Sequence, residues 1–79
     1  MLSFRILIRR NANEPLEDVS ILRALGQKGI LVRKAEMTRE GMAILCKGDI
    51  RTLRLCAEHL ASFSFVSGVS MQRCDDSDA

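Results

Sequence analysis

Within five residues the chain carries Arg9, Arg10, Asn11 and Asn13, two guanidinium groups and two carboxamides beside the start of an expected helix. Side chains of these types bind rather than react. Guanidinium groups pair with carboxylates, carboxamides both donate and accept, and the unpaired N–H groups of a helix start suit an anion. The plainer use of the two asparagines is to make the turn itself. A second basic set, Arg5, Arg9, Lys47 and Arg73, could hold phosphate without reading sequence.

Nothing comparable points to catalysis. There is no GxGxxG, no phosphate loop and no HExxH, and no nucleophile motif around any serine. Glu36 and Glu40 read as solvated charges on a polar hairpin rather than as an acid and base. His59, the only histidine, lies on a helix between Glu58 and Leu60. Three cysteines, Cys46, Cys56 and Cys74, are odd in number and lack CxxC spacing, which argues against disulfides and zinc. Cys46 and Cys56 fall in apolar patterns and read as reduced core residues, while Cys74 could be exposed. The expectation is a chain that is not an enzyme and uses no metal and no cofactor.

The formal charge of +2 divides unevenly. Asp75, Asp76 and Asp78 give the end of the chain an acidic tail, which leaves twelve basic against seven acidic side chains in residues 1–74. A basic body favours an acidic partner or an anionic ligand. With 79 residues, there is room for one small domain, over residues 1–74, with residues 75–79 expected to be disordered. So small a domain is marginal alone. No apolar run approaches the roughly 18 residues of a membrane span, and no secretory signal is seen, so a cytoplasmic location is the default.

The elements that must position these groups follow from periodicity. Leu2 to Arg9 alternates, with Leu2, Phe4, Ile6 and Ile8 on one face and Ser3, Arg5, Leu7 and Arg9 on the other. Arg10 to Glu14 forms a turn, and Pro15 suits the first turn of a helix capped near Asn13 or Glu14. Leu16, Val19, Leu22 and Leu25 make its apolar stripe, with Ile21 at the edge and Gly29 as a left-handed end cap. Strands follow at Ile30–Thr38 and Met42–Lys47, joined through Arg39-Glu40-Gly41. Asp49 caps a second helix that runs to about Ala61, and Val66–Met71 returns as strand, with Gln72 onward read as frayed.

Strand, helix, strand, strand, helix, strand is the order of the ferredoxin-like α+β fold, with the first and third strands central and both helices on one face of an antiparallel sheet. Its core is expected to hold Phe4, Ile6, Ile8, Leu22, Ile44, Leu53, Ala57, Leu60 and Val69. The other face carries Arg5, Leu7, Arg9, Ala43, Leu45 and Lys47, half apolar and uncovered. A homodimer, or attachment to a larger enzyme or regulator, is therefore expected.

At this level the chain resembles the ACT-type regulatory domains, and most closely the small regulatory subunits of acetolactate synthase. Asn13-Glu14-Pro15-Leu16-Glu17-Asp18-Val19 stands where such chains turn into their first helix, and Leu25-Gly26-Gln27-Lys28-Gly29-Ile30-Leu31-Val32 resembles their passage into the second strand. The resemblance implies a cytoplasmic regulatory module that binds an amino acid at a paired-domain interface, here through Arg9, Arg10, Asn11 and Asn13. Ligand-binding members carry glycine after a proline in this turn, whereas Pro15 is followed by Leu16. Leu45-Cys46-Lys47-Gly48-Asp49 and Val66-Ser67-Gly68-Val69 also resemble the effector domain of nickel-responsive regulators, but Glu40 stands where that family has its cysteine ligand. Nucleic-acid binding through the basic face ranks second: RNA modules of this fold stack bases on aromatics of the first and third strands, and here the aromatics are Phe4, Phe63 and Phe65.

Overall fold

Alternation decides the central strand. In the computed structural model, which describes residues 2–74, β1 (Leu2–Arg10) buries Phe4, Ile6 and Ile8 and turns Arg5, Leu7 and Arg9 outward. The order continues with α1 (Asp18–Gln27), β2 (Leu31–Met37), β3 (Gly41–Gly48), α2 (Ile50–Ala61) and β4 (Val66–Cys74). The four strands form one antiparallel sheet in the order β2-β3-β1-β4, so the ferredoxin-like α+β fold is the one observed. The expected acidic tail, residues 75–79, lies outside the described residues.

The first helix begins later than the proline suggests. Its N-cap is Glu17, which makes no side-chain cap bond, and Asp18 instead accepts from the Val19 N–H at 2.9 Å. Residues 15–17 stay outside the helix because Leu16 reaches the core from an irregular segment and the preceding turn is closed by a Glu14 N–H to Asn11 carbonyl bond of 3.2 Å. The buried stripe is Ile21, Ala24 and Leu25, so of the expected stripe Leu25 is buried as expected, Leu22 is only half-buried and Val19 is exposed. Its end is as expected: Gly29 takes φ 77° and the Ile30 N–H bonds back to the Leu25 carbonyl at 3.1 Å.

The Asp49 carboxylate accepts from the backbone N–H groups of Arg51 and Thr52 at 3.1 and 3.3 Å, satisfying two donors with no partner inside α2. A cap of this kind contributes about 1 kcal/mol. β4 extends three residues beyond the expected Met71, since Gln72, Arg73 and Cys74 pair with Arg5, Phe4 and Ser3 of β1. Polar side chains at a sheet edge conceal a strand from periodicity, because exposure leaves them free to be anything.

Of the expected core, Phe4, Ile6, Ile8, Ile44, Leu53 and Leu60 are buried, whereas Ala57 and Val69, like Leu22, are half-buried. Ile21, Ala24, Leu25, Ile30, Met42, Cys46, Cys56, Phe65 and Val66 complete it. Burial pushes the Cys46 thiol up to about 11, with a smaller contribution from Cys56, and also raises Cys56. Thiolate is the reactive form. Alkylation of the folded protein near neutral pH is therefore expected to modify the half-exposed Cys74 first, with Cys46 and Cys56 labelled only on unfolding. Mass mapping of the labelled peptides checks this; early label on Cys46 would contradict its burial.

Candidate ligand-binding cleft

The strand registers arrange the uncovered face into rows. Lys34, Leu45, Arg5 and Gln72 lie side by side across the sheet, and Glu36, Ala43, Leu7 and Ser70 form the next row. The row after that is Thr38, Gly41, Arg9 and Gly68, where Thr38 and Gly41 exchange backbone bonds of 2.9 and 3.3 Å. Arg9 is thus flanked on both sides by glycine. A side chain with no lateral neighbours leaves a trough, and the structure has a cleft of about 600 Å³ there.

Leu7, Ile8 and Arg9 of β1, Met42 of β3, the β4 residues Gly68, Val69 and Ser70, and Thr38, Arg39 and Glu40 of the β2–β3 turn line this cleft. The lining residues therefore supply two cations, one carboxylate and two hydroxyls beside apolar side chains, and the Thr38 hydroxyl already accepts from the Gly41 N–H at 3.0 Å. The mixture suits a small molecule that carries charge of both signs and a short apolar part. The edge of the cleft is fixed by a bulge: β4 slips register between Arg9 and Arg10, and the extra residue, Ser67, donates its hydroxyl to the Arg9 carbonyl at 3.2 Å. Bulges of this kind re-aim neighbouring side chains at the end of a strand.

Of the four residues first expected to hold a ligand, the cleft includes Arg9. Arg10 is exposed at the end of β1, where its N–H bonds the Glu40 carbonyl at 2.7 Å. The Asn11 carboxamide donates to the Ser64 carbonyl while the Asn11 N–H bonds the Phe65 carbonyl, and Ser64 in turn donates to Glu14 at 3.1 Å. Asn11 thereby ties the first turn to the loop before β4. Asn13 is exposed, and Glu17 and Asp18 place carboxylates at the start of α1, which disfavours an anion there. The second basic set divides: Arg5, Arg9 and Lys47 share the open face, whereas Arg73 pairs with Phe4 and belongs to the other.

Thr38, Arg39, Gly68 and Ser70 were not among the expected site residues. They come from separate strands and a turn, and only the pairing of β4 with β1 puts Gly68 beside Arg9. His59 packs edge-on against the Phe63 ring at 5.2 Å, and Phe63 stacks on the buried Phe65 at 5.2 Å.

No family model and no curated protein matches the chain. By fold it is similar to the crystal structure of acylphosphatase from Bacillus subtilis, with TM-score 0.75 and 18% identity over 96% of this chain and 88% of that one. It is also similar to the solution structure of the C-terminal domain of the MgtC protein from Mycobacterium tuberculosis, with TM-score 0.62 and 11% identity over 96% and 90% of the two chains. The first likeness corrects the expectation that the chain is not an enzyme. An acylphosphatase is an enzyme built on this fold, so the lack of a familiar nucleophile motif does not decide the question. Among the described residues, no helix is long and apolar enough to cross a membrane.

Proposed function

We propose that the domain is an ACT-like sensing module whose ligand is an amino acid held in the open-face cleft, and that it reports the bound state to a larger protein. The observation that carries this reading is the joint presence of Arg9, Arg39 and Glu40 around one cleft above Leu7. Guanidinium groups match the α-carboxylate, Glu40 matches the α-ammonium, and Leu7 meets the side chain. This moves the site from the first turn to the open face but keeps Arg9 as its anchor, because the Asn11 amide already serves the fold.

Titration with a panel of amino acids, followed by calorimetry and backbone amide signals, tests the reading. Shifts are expected at residues 7–9, 38–40 and 68–70, and Arg9→Ala is expected to reduce affinity at least about tenfold, the usual scale for one charged hydrogen-bond pair. Shifts centred on residues 10–17 would return the site to Arg10, Asn11 and Asn13. Silence across the panel would leave a protein-interaction module.

The acylphosphatase likeness favours one second reading, in which the anion is a small acyl phosphate that the protein hydrolyses. Release of inorganic phosphate from acetyl phosphate, lost in Arg9→Ala, would support it. A rate equal to the buffer blank would remove it.

A further inference from the structure

We infer that the amino acid taken by the cleft is an acidic one, and that Arg5, one row beyond the cleft, holds its side-chain carboxylate. This rests on the reading that the cleft takes an amino acid, and it adds the class of side chain. Along the open face of β1 the order is Arg5, Leu7, Arg9: a cation, an apolar side chain and a second cation at a spacing of two residues. A molecule anchored at Arg9 and laid over Leu7 meets Arg5 next.

Strand geometry sets the length of that molecule. Arg5 and Arg9 stand roughly 13 Å apart along the strand, and side chains on a strand lean along its direction. Two arginines leaning toward each other over Leu7 leave a gap that a short chain with a carboxylate at each end can bridge. Leu7, 36% exposed, and Ala43 beside it offer apolar contact to the methylene groups between those carboxylates. Gln72 stands directly opposite Arg5 on β4, where its carboxamide can donate to the same distal carboxylate.

Charge selects the same class. Among the described residues, Arg5, Arg9 and Arg39 have no carboxylate partner. Glu36, the carboxylate in the Leu7 row, is already paired with Lys34 at 3.2 Å, so these two charges offset each other beside the path of the ligand. Glu40 is the carboxylate that lines the cleft itself, and it meets the ammonium. Two carboxylates and one ammonium on the ligand are thereby matched by cations at both ends and one carboxylate at the anchored end. A neutral side chain leaves Arg5 to water, and a basic one is repelled by it.

Calorimetric titration with glutamate and with glutamine is the test, because the two share their size and α groups and differ in one charge. Glutamate is expected to bind about tenfold more tightly, the scale of one charged hydrogen-bond pair. Arg5 is exposed, so Arg5→Ala should fold, which circular dichroism checks; it should bring glutamate down to the affinity of glutamine and leave glutamine unchanged. Arg5→Lys should keep part of the preference, and Arg73→Ala, which removes a cation from the other face, should keep all of it. Silence with both amino acids would overturn this inference together with the amino-acid reading. Equal affinities for the two, a preference that survives Arg5→Ala, or one lost equally in Arg73→Ala would overturn the inference and leave that reading in place.

Discussion

Replacing Gly41 with alanine is expected to be the most damaging single-methyl change in the protein, costing on the order of 3 kcal/mol. A Cβ there would stand 2.0 Å from the Ile8 carbonyl oxygen and 3.0 Å from the Arg10 nitrogen. Both are backbone atoms of the central strand, which is held by partners on either side and has no rotamer by which to yield. The same methyl at Gly26, in α1 with open space around it, is expected to stabilise by about 0.5 kcal/mol, because alanine loses less backbone freedom in a helix. Urea denaturation of both variants checks the pair. Equal shifts in midpoint would mean that β3 does not approach β1 as closely at Gly41 as described.

Ile6→Ala is expected to cost about 2–5 kcal/mol, the range for truncating a fully buried aliphatic side chain. Ile6 is wholly inaccessible, sits between Ile44 on β3 and Met71 on β4, and has the helices above it. Leu7, its neighbour on the opposite face and 36% exposed, should lose only about 0.5 kcal/mol on the same truncation. Thermal or urea unfolding of the two variants therefore reads the direction of β1 directly. An Ile6→Ala midpoint equal to that of the unaltered protein would invert the strand.

Those expectations rest on what periodicity makes visible. Alternation from Leu2 to Arg9 identified the buried face of β1, and the Asp49 cap and the Gly29 turn carried their own chemistry in the sequence. Pro15 misled because a proline can open a helix or stand in the segment before one, and the choice was made by Leu16 and Asn11 finding partners elsewhere. Of the helix stripe Leu25 was read correctly, whereas Leu22 was given the place that Ile21 occupies and Val19 is exposed. Of the cleft, only Arg9 was legible. Gly41 and Gly68 look like ordinary turn and strand glycines until the register sets both beside one arginine.

The place of β1 between β3 and β4 has a consequence for the ribosome. Synthesis delivers β1 first, yet both of its neighbours come later, and Ser3 meets Cys74 almost at the other end of the described chain. Until residues 41–48 emerge, a strand carrying Phe4, Ile6 and Ile8 has no edge to join, and it keeps one side open until β4 follows. A circular permutant that begins at Glu40 would make β3 first and supply β4 before β1, so the central strand would enter a slot already flanked by its neighbours.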